Sequence, residues 1–469
     1  MMDETTDVSG KEQATICVRH FSNGQLREDF LGFVHAQDLT GEGLARLLLS
    51  TVESVGLDMS SCRGLCFDGA SAMMGKFRGC AAVVMQEYPL AKVIHCFNHR
   101  LNLVLTKACD TKEVKLALQT LSEVYNFIYS SNMRSMRFDE LVRGHTSMKR
   151  KKLVSLCPTR WVERHDSVIV FMEFLPVIAV FLEDESSLDA MAGILLIAIR
   201  EPRFLIGLVV AESILAHTVE PSRALQSPTV NLISAYATIG EVVTYLNKAR
   251  EEALTSFHDV FKKAEELLQE IGSSHEAIPV PRVCGRQTQR ANVPFQTAEE
   301  YYRRAVYIPF LDQVVTELQS RFGDDTIPVG FNIRHLLSGA DGDIAALVEA
   351  AKVYEADIEA LSLVKAEAKR WFSSTAKFDS IGDAIAHAQT RMYPNLAKLL
   401  QVLITLPVSN AEAERSFSVL KRLKTYLRNT MGQKRLNGLA LLAVHNEIEI
   451  EIDSVIKMFS QKNRRLMFV

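Results

Sequence analysis

Two kinds of hydrophobic spacing divide this chain, and together they limit its fold more than any single motif. In roughly the first hundred residues, short β-rich runs alternate with helical spacing. From Val168 to Lys398 the spacing is almost wholly helical. Residues 14–21 and 25–34 are rich in β-branched and aromatic side chains. Ser22, Asn23 and Gly24 separate them, which predicts a β-hairpin. Residues 43–55 then predict a helix, 62–67 a short apolar strand and 77–88 a second helix. A further short strand is expected at 93–97 and one long helix at 98–130. The pattern excludes both an all-β sandwich and a purely helical bundle. It predicts an α/β region first, a long all-α region next, and helices again over residues 399–469.

A chain of 469 residues has room for roughly two to four domains. Its net charge of −3 gives no bulk electrostatic case for nucleic acid, so any such binding would rest on local patches. The eight cysteines are sparse and follow no pairing pattern. With no signal peptide in view, they suggest a reduced intracellular protein. The apolar stretch Met191–Leu215 is interrupted by Arg200, Glu201, Pro202, Arg203 and Glu212. It predicts one or two buried helices and no membrane span. Residues 279–294 hold Pro, Gly and several Arg, and predict a basic loop.

Two carboxylates stand out. Pro407 ends what precedes it, and Ser409 with Glu412 three residues on forms a capping-box pattern. Phe417, Leu420, Leu423 and Leu427 then recur at helical spacing, for packing on the core or on a second chain. The cap accounts for Glu412. Glu414 lies about 200° further round the helix; it either favours the helix dipole or carries chemistry. Asp68 ends the apolar strand 62–67, and Gly69, Ala70 and Ser71 follow it in a small-residue turn. It either caps the next helix or occupies the strand end where sites form in α/β sheets.

These motifs resemble the hAT transposase family. Ser409–Ser418, with Leu427–Met431, Arg435, Leu436, Leu441 and Leu442, resembles its C-terminal dimerisation region. Cys66–Lys76 and Asp3-Glu4-Thr5-Thr6-Asp7 resemble its catalytic Asp motifs. The resemblance is strongest at 3–21, 62–106, 157–161, 282–310 and 405–446, close to the zinc-finger MYM-type and kinase-inhibitor-repressor-like branch. It implies an RNase H-like α/β core (residues 1–167, with a first strand cut short before Asp3). An all-α insertion domain (168–398) would interrupt that core, and a C-terminal part (399–469) would complete it and dimerise. It also implies a catalytic and metal-binding triad of Asp3, Asp68 and Glu414 holding Mg²⁺ or Mn²⁺. Asp7 reads as a solvated turn residue.

Three further features carry DNA-binding expectations by the same resemblance. Cys96 and His99 match a Cys-x-x-His motif; alone they make a weak zinc site and read equally as a strand-to-helix corner. Arg160 and Trp161 match an Arg-Trp motif whose Trp stacks on a flipped base, the alternative being a core Trp. Lys149–Lys152 either meets phosphate or is a solvated loop. The basic loop, with Glu300–Arg303 after it, also resembles the branch and would meet DNA or a partner chain.

Two functions follow. One is a nuclear DNA transposase, or a protein descended from one, that forms homo-oligomers and uses no small-molecule substrate or membrane. The other is a transposon-derived regulatory protein that keeps the fold and the dimerisation surface but performs no chemistry. The short first strand, the near-neutral charge and the lack of a recognisable zinc finger favour the second.

Overall fold

The hairpin forms in the computed structural model. The model describes every residue except 146–149, 151, 157–160, 274–276, 281–292, 324–328, 338–342, 375–377, 379, 390–391 and 462–469. Strands β1 (Met2–Thr6), β2 (Glu12–Ser22) and β3 (Gln25–His35) make an antiparallel sheet in that order. Ser22 pairs with Gln25, so Asn23 and Gly24 alone make the turn. Their φ angles are 50° and 74°, the left-handed values that a tight hairpin turn needs and that Asn-Gly adopts at low cost. β1 pairs with β2 from Met2–Ile16 to Thr6–Glu12.

Helix α1 (Gly41–Ser54) is capped by Thr40, whose hydroxyl accepts the Gly43 N–H at 3.1 Å. Strands β4 (Gly64–Phe67) and β5 (Lys92–His95) pair in parallel. Their crossover carries α2 (Ser71–Met74) and α3 (Cys80–Glu87). β4 runs beside β1 without joining its ladder.

By internal packing the chain forms two compact units: Met1–Cys96 with Asn332–Val469, and Phe97–Phe331. Helices are the only regular elements among the described residues of the second unit. It holds α4 (Phe97–Ala108), α5 (Lys112–Tyr129), α6 (Asn132–Gly144), α7 (Trp161–Glu185) and α8 (Ala190–Arg200). It continues with α9 (Pro202–Leu225), α10 (Leu232–Glu251), α11 (Ala253–Glu270), α12 (Ala298–Tyr302) and α13 (Ile308–Phe322).

The long helix expected at 98–130 is two helices, broken at Cys109–Thr111. The Thr111 hydroxyl donates to the Ala108 carbonyl at 2.9 Å, and Asp110 takes the Lys115 ammonium at 2.9 Å. Short polar side chains that bond nearby groups favour helix ends over helix interiors. The stretch 191–215 forms two helices, α8 and α9, as its interruptions predict. α9 is the centre of this unit, packed by α5, α7, α10 and α11. Residues 164–185 and 202–225 are long and apolar enough to cross a membrane, but both are mostly buried within the protein.

The first unit resumes with α14 (Ile344–Val353), α15 (Leu361–Ser373), α16 (Ile381–Ala388) and α17 (Pro394–Thr405). It ends with α18 (Ala411–Leu423), α19 (Gln433–Val444) and α20 (Ile452–Ser460). Buried Glu367 of α15 accepts the Asn395 and Leu396 N–H groups at 3.1 and 3.0 Å, so a carboxylate satisfies the open N-terminus of α17.

Side chains alternate across the strands, and each face has its own apolar layer. Leu44 and Leu48 of α1 and Val84 of α3 pack with Met2, Ala14 and Ile16. Ala413 and Leu420 of α18 and Leu436 of α19 pack with Cys17, Phe30 and Phe33. A Cβ on Gly64 would lie 2.5 Å from the Pro407 ring, so only glycine allows that close approach to β4.

Candidate carboxylate site

Strand β1 presents adjacent residues to opposite faces, with Asp3 on the face shared with Met1 and Glu4 on that of Met2. The Asp3 carboxylate accepts the Glu4 N–H at 2.9 Å. Burial raises its pKa, the backbone bond partly offsets this, and the charges of Glu414 and Asp68 push it higher. The result is about 7, against an ordinary 3.8. Burial also raises Glu4 to about 7, helped by Asp68 and Glu12. The Glu4 Oε1 atom is buried and has no hydrogen-bond partner among the described residues.

Asp68 follows β4 and is half-buried. Its Oδ1 accepts the Ala70 N–H at 3.1 Å, closing a turn. The N-cap of α2 is Ala70, with no side-chain cap, so Asp68 shapes the loop and does not cap the helix. Glu414 sits in the first turn of α18, its N–H bonded to the Asn410 carbonyl at 3.0 Å. Two distant stretches of sequence thus bring Asp68 and Glu414 within electrostatic reach of Asp3.

Hard carboxylate oxygens are the donors that Mg²⁺ and Mn²⁺ take, and a divalent ion would offset the like charges gathered here. The donor chemistry therefore fits. Among the described residues, however, no group of three or more His, Cys, Asp or Glu side chains is gathered closely enough to hold a metal ion.

The start of α18 differs from its expected capping box. The N-cap is Asn410, without a side-chain cap, and Ser409 is buried one residue earlier. Asn410 Nδ2 donates across the chain to the Met2 carbonyl at 3.1 Å, so it serves β1 and not its own helix. Glu412 is held by Arg415 at 2.6 Å, an (i, i+3) ion pair. The apolar stripe also divides. Leu420 is buried and Phe417 and Leu423 pack beside it, whereas the helix has ended before Leu427, which is 91 % exposed.

Cys96 is buried, and its sulfur accepts the Asn410 N–H at 3.4 Å. It thereby ties the end of β5 to the start of α18. His99 lies half-buried in the first turn of α4. Arg160, Lys149, Lys151 and residues 281–292 lie outside the described residues, and of Trp161 the backbone alone is described, at the start of α7.

Asp7 is not a solvated turn residue. It is buried, pairs with the equally buried Lys424, and accepts from Ser9 and Gln13. Burial alone would raise its pKa, but Lys424 and these bonds hold it well below the ordinary carboxylate range. Sequence reasoning missed this pair because its halves are 417 residues apart. It also passed over Glu4 and Asn410, although each stands beside a residue it chose.

Comparison with known families defines the class. Residues 1–79 match DUF4371, the ZMYM1/FAM200 RNase-like domain, and residues 386–448 match the hAT family C-terminal dimerisation region. The chain thus carries an RNase-like domain and a hAT dimerisation region, which equips it for self-association. Among individual proteins it is similar to the 52 kDa repressor of the inhibitor of the protein kinase. The mouse protein is 26 % identical over 98 % of this chain, and so is the human one. The chain spans 64 % of the length of either relative.

Proposed function

We propose that this is a hAT-derived, self-associating protein whose carboxylate site descends from metal-dependent DNA strand transfer. The observation that carries the reading is the convergence on Asp3 of charge from Asp68 and Glu414. The strand arrangement supports an RNase H-like core: β3, β2 and β1 are antiparallel, and β4, beside β1, is parallel to β5. In this reading 168–398 is an all-α insertion and 399–469 completes the core. Asp3, Asp68 and Glu414 would hold Mg²⁺ or Mn²⁺ if drawn closer together than the described residues stand. The bound ions would activate the attacking hydroxyl and stabilise the leaving oxygen. Asp68 is fixed by its own turn and Glu414 by the helix, so β1 is the element that sets the third carboxylate. DNA meets the chain through Arg160, Trp161, His99 and Cys96, and the protein works in the nucleus.

A second reading, a regulatory interaction protein without catalysis, draws on the carboxylates not being gathered as a ligand set. It is also in keeping with relatives whose name is that of a repressor. Nicking of supercoiled plasmid with Mn²⁺ separates the two. The first reading expects metal-dependent nicking that Asp68→Asn and Glu414→Gln abolish. Nicking that survives both changes sinks the catalytic assignment, and no nicking by the unaltered chain favours the regulatory reading.

A further inference from the structure

The second unit holds a cavity of its own, about 240 Å³, where α9, α10, α11 and the start of α13 meet. Leu246, Val260 and Leu311, all buried, give it an apolar floor. Three aromatic rings also line it: His217 of α9, Tyr245 of α10 and Tyr307. The His217 and Tyr245 rings lie 4.1 Å apart between centroids, tilted by 39°. Tyr307 ends a π-helical turn, Arg303–Tyr307, that joins α12 to α13. The helix widens there because Pro309 has no N–H for the Ala305 carbonyl and its ring crowds that carbonyl. Turns of this kind often accompany functional sites. Tyr307 is 4 % exposed, whereas Tyr245 is 46 % exposed and Asp259 of α11 lies open at the rim.

The charge of this lining is negative. Among the described residues the Asp259 carboxylate takes part in no ion pair. The cations beside the cavity are engaged elsewhere: Lys263 with Glu212 at 3.0 Å and Arg250 with Asp312 at 2.8 Å. Burial lowers the His217 pKa against the pull of the Glu212 charge, so its ring is neutral at pH 7. Burial and the neighbouring Tyr245 raise the pKa of the Tyr307 phenol, although a hydrogen bond with Ser256 works the other way, so the phenol stays un-ionised. An anion would face Asp259 with no free cation to receive it. A metal ion would lack ligands, since His217 and Asp259 belong to no metal-binding group among the described residues. A carboxylate beside neutral aromatic rings, over an apolar floor, instead suits a cation that carries its own apolar surface. We propose that this cavity binds a methylated ammonium group, with the charge between Asp259 and the rings of Tyr245 and Tyr307 and the methyl groups on the apolar floor. Its volume lies below the range for drug-sized ligands, so it takes a head group and not a nucleotide. The same trimethylammonium chemistry occurs on small molecules and on a methylated lysine side chain.

The test is calorimetry and ligand-detected saturation-transfer NMR on the full chain, with tetramethylammonium, choline and free trimethyl-lysine as probes. Tetramethylammonium and choline should bind in the millimolar range. The uncharged tert-butyl analogue of choline should bind at least about tenfold more weakly than choline, because it keeps the shape and loses the charge. Asp259→Asn and Tyr245→Leu should each weaken choline binding about tenfold. Asp259→Asn should leave circular dichroism and the melting temperature unchanged, because its side chain is exposed. Tighter binding of choline than of trimethyl-lysine supports the site with a small-molecule source, and the reverse order supports it with a methylated lysine. No binding of either tetramethylammonium or choline up to about 10 mM overturns the proposal. Equal binding of the uncharged analogue overturns it as well. Choline affinity unchanged in both variants places the ammonium elsewhere and overturns this site.

Discussion

Asp3 and Asp7 stand four residues apart and respond to pH in opposite directions. Asp7 has a lowered pKa in the fold, so its ion pair stabilises the protein above the ordinary carboxylate range. That stability is lost as pH falls through the depressed value. Asp3 has a raised pKa, so between 3.8 and about 7 the folded chain binds more protons than the unfolded one. Its contribution is fully present below 3.8 and is lost as pH rises through about 7. At about 1.4 kcal/mol per unit, the loss is bounded at about 4 kcal/mol. Asp3→Asn cannot ionise. The expected outcome is that urea-unfolding free energy, followed from pH 4 to 8, declines in the unaltered chain and stays flatter in the variant. Parallel curves would show that the fold does not raise the pKa of Asp3. Neither environment was legible in the motif, because what separates the two aspartates is what the fold sets around them: a cation, Lys424, for Asp7, and for Asp3 burial with the charges of Glu414 and Asp68 added to it.

Helix α18 shows which parts of an element a sequence states and which it leaves open. Its existence and its buried stripe were legible, because period 3.6 records a face whatever that face meets. The hairpin was legible for a similar reason, since Asn23-Gly24 dictates one turn geometry. The cap was not. Ser409 and Asn410 are both good capping residues, and the bond from Asn410 to the Met2 carbonyl, 408 residues away, decides what its side chain does. The stripe also continued one step too far, because the helix ends at Leu423 and leaves Leu427 in a separate turn. Two substitutions separate the parts. Leu420→Ala, in the core, should cost about 2–5 kcal/mol in urea unfolding. Leu427→Ala should fall within about 0.5 kcal/mol when measured on the monomer. Equal costs would mean that the helix runs on past Leu423 and buries both.

At the scale of the whole chain, helical spacing and compactness answer different questions. Spacing draws the all-α stretch at 168–398, since it reports what each segment forms. Compactness draws a unit at Phe97–Phe331, since it reports which helices pack together. Helices α4 and α5 belong to that unit: α4 packs on α13 and α5 on α9. Their apolar faces are indistinguishable in sequence from those of a core-completing helix, so their allegiance could not be read in advance. The unit holds its own core, with Phe97, Phe204, Phe257 and Phe310 all fully buried. Its size is that of an ordinary single domain, which buries enough apolar surface to fold alone. Residues 97–331, expressed as a separate chain, should therefore be helical by far-UV circular dichroism and melt in one cooperative transition. Loss of near-UV signal with retained far-UV signal, together with dye binding, would mark a loosely packed state. In that case the core of this unit would depend on the rest of the chain, and the all-α region would not be an insertion able to fold by itself.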